Sequence, residues 1–153
     1  MTYRVMIDSM IYDALAGNEN FRRLVQKKQD SGDIAMLSTR IQKDQIAAIP
    51  PARDIGQKSA ARTTEIASAV FVLDVSRLDE DCLGSPEADA VFLHLQGRSL
   101  KHTADAMIGA TAFSDTDILV TNDQKLTNRF RKLTSTTMVM TDVEFQVFLE
   151  GLN

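Results

Sequence analysis

Four aspartates, Asp8, Asp44, Asp105 and Asp123, are the residues of this chain best suited to chemistry. Each has a plain structural use by itself: Asp8 and Asp123 as helix caps, Asp105 as a charge at a helix N-terminus, Asp44 as a surface residue. Brought to one place, they would repel one another unless a cation sat between them. Hard oxygen ligands with no accompanying cysteine or histidine cluster favour Mg²⁺ or Mn²⁺ over zinc. Such an ion activates water and stabilises the charge on a phosphodiester in transit. Phosphate contacts have candidates too. Lys125, Arg129, Arg131 and Lys132 form a basic run without an acid, and Arg22, Arg23, Lys27 and Lys28 form a second; solvated helix faces are the competing reading of both. His94 and His102 are too few for a histidine-based metal site, and neither Cys82 nor a serine has a partner base in the sequence.

These residues need elements to position them. Tyr3-Arg4-Val5-Met6-Ile7 reads as a first strand, with Asp8 directly after it. Helices are expected over 9–16 and 19–29, then a turn at Ser31-Gly32-Asp33 and a second strand over 34–38. A helix over 39–48, carrying Asp44, is stopped by Pro50-Pro51. A polar helix over 53–68 leads to a third strand, Val70-Phe71-Val72-Leu73. Ser85-Pro86-Glu87 has the form of a helix start, and Gly97 marks that helix's end. Thr103 is placed to cap the next helix, which runs to about Phe113 and carries Asp105 in its first turn. Gly109 and Ala112 on it would let it lie close to the sheet. A fourth strand over 118–121 precedes Asp123, which opens a short helix. A fifth strand over 137–140 is followed by the capping box Thr141-Asp142-Val143-Glu144. Strands alternate with helices throughout, so the fold class is α/β, with a mostly parallel sheet covered on both faces. In such sheets, sites form beyond the carboxyl ends of the strands, where Asp8 and Asp123 are expected.

Composition sets the limits. The chain's 153 residues suit a single domain over 1–153, and 44% apolar residues are enough for a sizeable core. One cysteine allows no internal disulfide, and no apolar run is long enough to span a membrane. The first residues lead straight into a strand, so a cytoplasmic protein is expected. The net charge of -4 disfavours a nucleic-acid partner only until a cation neutralises the acids it is held by.

Two stretches resemble a known family. His102-Thr103-Ala104-Asp105-Ala106-Met107-Ile108-Gly109-Ala110-Thr111-Ala112 followed by Ile118-Leu119-Val120-Thr121-Asn122-Asp123 is similar to the paired C-terminal signature of PIN domains. Val5-Met6-Ile7-Asp8-Ser9 resembles that family's first motif. The resemblance covers nearly the whole chain in order and spacing. It implies a three-layer α/β/α sandwich with strand order 3-2-1-4-5, which would set Asp8 beside Asp123. It also implies a Mg²⁺- or Mn²⁺-dependent endoribonuclease acting on single-stranded or structured RNA. In many bacterial members this activity belongs to the toxin of a toxin–antitoxin pair, a homodimer held by an antitoxin protein. Carried over by position, Asp8, Asp105 and Asp123 would be the catalytic metal ligands. Ser9, Thr121 and Asn122 would orient them. Apart from the resemblance, the charge of Lys125, Arg129, Arg131 and Lys132 makes them the expected RNA contacts if that run flanks the metal site. The family's second motif usually has a glutamate where this chain offers Asp44-Gln45. Asp44 is the expected ligand; an offset of one residue would put the neutral Gln45 there.

Other sites with an aspartate after the first strand fit less well. A haloacid-dehalogenase-type phosphatase needs a second aspartate where this chain has Met10, and a phosphoreceiver needs an acid pair and a lysine that are missing here. The alternative outside enzymology is a non-catalytic PIN-like binding module with a weakened metal site.

Overall fold

In the computed structural model, which describes residues 1–48, 62–73, 75–76 and 84–152, strands and helices alternate along the chain. The strands are β1 (Tyr3–Ile7), β2 (Ile34–Ser38), β3 (Thr64–Glu65), β4 (Ile118–Val120) and β5 (Met138–Met140). The helices among the described residues are α1 (Ser9–Gly17), α2 (Glu19–Asp30), α3 (Arg40–Ala47), α4 (Pro86–Gln96), α5 (Thr103–Asp115), α6 (Gln124–Phe130) and α7 (Asp142–Gly151). All five strands are parallel, in the order β3-β2-β1-β4-β5. Chain order reverses at β1, which pairs with β2 through Met6↔Leu37 and with β4 through Ile7↔Val120. The carboxyl ends of β1 and β4 therefore lie side by side at the switch point, where open α/β sheets form their crevices.

The period-two alternation of β1 and β4 splits the core into two layers. Val5, Ile7, Ile118 and Val120 pack with Ile11, Phe21, Val25 and Phe145 of α1, α2 and α7. Met6 and Leu119 pack with Ile41, Val91, Leu95, Met107 and Phe130 of α3 to α6 on the other face. The result is an α/β/α sandwich. Strands buried on both faces read as continuous apolar runs, which is how β1 and β4 look in sequence.

Local signals place most helix ends. Ser85 accepts the Ala88 N–H at 3.1 Å with Pro86 behind it, and Gly97 ends α4 at φ 64°. Thr141 and Glu144 form the reciprocal capping box of α7. Among the described residues no helix is long and apolar enough to cross a membrane.

Four expectations are corrected. The third strand is Thr64–Glu65, paired at Leu37↔Thr64, and 70–73 is irregular. The apolar run there reports burial, not pairing: Val70 is buried in the core as non-repetitive chain, while Leu73 is exposed. An exposed edge strand such as Thr64–Glu65 has no alternation to reveal it. The polar helix expected over 53–68 lies outside the described residues at 53–61, and 62–68 contains no helix. Pro50, Pro51 and Cys82 also lie outside the described residues. Thr103 is not a cap. A 3₁₀ turn (Leu100–His102) runs directly into α5, and the Thr103 hydroxyl donates back to Leu100 O at 2.7 Å. Gly109 brings α5 against α4, not the sheet: a Cβ at this position would lie 2.7 Å from Leu95 Cδ1.

Candidate functional site

Asp8 ends β1 and caps α1, and its side chain is buried at 2% exposure. Its Oδ1 accepts the Ser9 N–H at 2.6 Å and the Ser9 hydroxyl at 3.2 Å. Its Oδ2 accepts the Thr121 hydroxyl at 2.9 Å. Thr121, fully buried just past β4, also accepts the Asp123 N–H at 3.1 Å. One hydroxyl thus ties the acid at the end of β1 to the backbone of the acid after β4. Asp123 caps α6, its Oδ1 accepting the Lys125 and Leu126 N–H groups at 2.7 and 3.2 Å. Asp105, in the first turn of α5, has His102 as its nearest charge partner, Nδ1 to Oδ2 at 3.9 Å.

The three acids feel one another. Burial pushes the Asp8 carboxyl above its ordinary value of 3.8; hydrogen bonds from Thr121 and Ser9 oppose this, and the Asp123 charge adds to it. Burial also raises Asp105, and the charges of Asp8 and Asp123 raise it further. The Asp123 Oδ2 and Asp105 Oδ1 atoms accept no hydrogen bond from the described residues. Asp105 and Asp123 line one small cavity together with Leu95, His102, Lys125, Leu126 and Arg129. The charge at this crevice is therefore negative and only partly offset.

A hard divalent cation suits these donors by type. All are carboxylate oxygens, and burial, with repulsion adding to it, raises two of the groups. Among the described residues, however, no group of three or more acids, histidines or cysteines closes on one point as a ready-made metal site. The arrangement brings two carboxylates to the cavity. It does not fit a cage built wholly from protein.

The helix after β2 departs from expectation. Asp44 is exposed and forms an i,i+4 ion pair with Arg40 at 2.5 Å. It is not among the charges acting on Asp8 or Asp105. Gln45 lines an open cleft with Arg40, Ile41, Asp44, Ala48, Val75, Ser76 and Ala104, and its Oε1 is buried without a partner. The α3 residue that reaches the end of β1 is Gln42, which is fully buried; its Nε2 donates to the Ile7 carbonyl and its Oε1 accepts the Thr39 N–H at 2.7 Å. Thr39 caps α3, so the N3 residue of the capping box turns toward β1, and Asp44 lies two residues, about 200°, further round. The missed signal was Thr39-Arg40-Ile41-Gln42, a capping-box spacing that marks position 42.

Two other expected residues have structural partners. Asn122 accepts the Asp142 N–H at 3.1 Å, bracing the start of α7. The Arg129 guanidinium donates to Leu95 O and Gln96 O at 2.7 and 3.2 Å, at the end of α4. Lys125, Arg131 and Lys132 are exposed, and Lys125 stands at the cavity with the acids. In the second basic run, Arg23 pairs with Glu19, and Lys28 is buried against Asp33 and the Leu152 carbonyl. In comparisons with known proteins, no family model and no curated protein matches this chain.

Proposed function

We propose that this chain is a PIN-like, Mg²⁺- or Mn²⁺-dependent ribonuclease acting at the crevice between β1 and β4. The observation that carries this reading is the gathering of Asp8, Asp105 and Asp123 at the carboxyl edge of a parallel sheet, close enough for the Asp123 charge to act on both of the others. Structural acids are normally paired or solvated, whereas titratable groups perturbed by burial and by one another in a cleft mark functional sites. Asp105 and Asp123, with open oxygens on the cavity, would hold the ion, backed by Asp8. The bound ion would supply an activated water and offset charge building on the phosphodiester. The chain's own residues do the rest. Ser9 and Thr121 aim Asp8 and oppose the effect of its burial, and Lys125 at the lip attracts the phosphate backbone.

One observation favours the second reading, a binding module: the inward residue of α3 is the neutral Gln42, so that helix brings no acid to the crevice. Asp8→Asn separates the two. It keeps the shape of the side chain and removes a charge. Mn²⁺-dependent cleavage of a generic single-stranded RNA should fall by on the order of a hundredfold, the upper end of losses seen when groups orienting a metal site are removed. Equal rates for variant and wild type would remove the catalytic assignment. RNA binding by the wild type without cleavage would put the binding module first.

A further inference from the structure

The parallel ladder between β1 and β2 runs out just short of the crevice. Its last pair is Met6↔Leu37, after which Ser38 pairs with Glu65 of β3 and its carbonyl takes the Ile66 N–H at 2.9 Å. β2 therefore turns its hydrogen bonding away from β1 one residue before Asp8. Gln42 fills the gap. Its amide accepts from the Thr39 N–H at 2.7 Å on one side and donates to the Ile7 carbonyl on the other. A planar amide with one acceptor and one donor in use is the hydrogen-bonding equivalent of a peptide group. Here it stands between the separating ends of two strands. The Ile7–Asp8 peptide is then held at both ends, its N–H by Val120 O at 2.9 Å and its carbonyl by Gln42.

We infer that Gln42 is the positioning residue of the crevice: its side-chain amide bridges β2 to β1 and fixes the peptide from which Asp8 projects. The bearing on metal affinity rests on the proposed nuclease reading; the bearing on Asp8 geometry does not. No other side-chain type of this length does both jobs at neutral pH. A glutamate would set a carboxylate oxygen against the Ile7 carbonyl, and an apolar residue would leave a buried N–H and a buried C=O unpaired. Being buried and bonded at both atoms, Gln42 is not itself a ligand; it acts through Asp8.

The test compares wild type, Gln42→Met and Val25→Ala. Val25 is buried in the core layer formed with α1, α2 and α7, so its variant controls for lost stability alone. Mn²⁺ affinity is read by electron paramagnetic resonance and Asp8 N–H exchange by NMR, at a temperature where all three are folded. Gln42→Met should weaken Mn²⁺ binding roughly tenfold or more, while Val25→Ala leaves it unchanged. Wild-type affinity in Gln42→Met would overturn the inference and leave the nuclease reading standing. If the wild type binds no Mn²⁺, the nuclease reading falls and exchange decides. Faster Asp8 N–H exchange in Gln42→Met than in Val25→Ala supports the bridge, and equal exchange overturns it. Should Gln42→Met not fold, Gln42→Glu gives the same exchange measurement, because it keeps the acceptor for Thr39 and sets a repelling oxygen in place of the donor to Ile7.

Discussion

Asp105 is held in the crevice by little besides the fold itself. Its nearest charge partner among the described residues, His102, stands 3.9 Å away, whereas burial and the charges of Asp8 and Asp123 all oppose its ionised form. Its pKa is raised in the folded state, so the fold binds that proton more tightly than the unfolded chain does. The resulting stability is present below the ordinary value of 3.8 and is lost as pH rises through the folded value. At neutral pH the ionised Asp105 therefore works against the fold. Asp105→Asn should melt higher than wild type at pH 7, by roughly 1–4 °C given its partial exposure, and the difference should close at about pH 3. Thermal unfolding at the two pH values measures this. A variant that melts lower at pH 7 would show that the charge is compensated after all. Asp8 differs, because hydrogen bonds from Ser9 and Thr121 offset part of its burial. Such sites commonly trade stability for activity.

Arg129 of α6 meets the last carbonyls of helix α4, at Leu95 and Gln96. The guanidinium meets the carbonyls that a helix leaves unpaired, at the negative end of its dipole. Gly97 makes room for it: a Cβ there would lie 3.1 Å from Arg129 Cζ. The basic run on α6 is thus mixed, with Arg129 serving the packing of α4 on α6 and its neighbours facing solvent. Arg129→Met keeps the stem and loses the charge. It should destabilise the protein by about 1.5–3 kcal/mol, the range for hydrogen bonds to a charged group. Chemical denaturation gives that value directly. An unchanged denaturation midpoint would return Arg129 to the pool of phosphate-binding candidates.

Seen whole, the molecule carries a net charge of -4, yet the lip of the acidic crevice is basic. A dication at the acids would offset the local negative charge and leave Lys125 at the cavity facing an incoming polyanion, with Arg131 and Lys132 exposed further along the chain. Each phosphate contact on a single strand contributes about 0.7 to the slope of log affinity against log salt. Replacing Lys125 and Lys132 with Ala should therefore flatten that plot by roughly 1.4 if both side chains contact phosphate. Arg129→Met should leave the slope as it is. Parallel slopes for wild type and the lysine variant would make the run a solvated face.

Much of this architecture is legible in the amino-acid order, because its signals are local. The apolar run that ends at Asp8, the Ser85-Pro86 pair, Gly97 and Thr141-Asp142-Val143-Glu144 each act within a few residues, and each marks an element that is present. Alternation of strands and helices was enough for a parallel α/β sheet, whose order then carries Asp8 to the strand next to Asp123. Other features depended on partners distant in sequence. The edge strand Thr64–Glu65 has no apolar pattern and exists because β2 offers a free side. Asn122 and Arg129 have structural partners as well, at Asp142 and the end of α4, which only the fold brings to them. On α3, charge singled out Asp44, whereas burial singles out Gln42, because the cap at Thr39 sets the helix's rotation against β1. Residue type and spacing identify which groups have chemistry to offer. Which of them face the crevice depends on the rotation of each helix against the sheet and on the hydrogen bonds left unmet where the strands part.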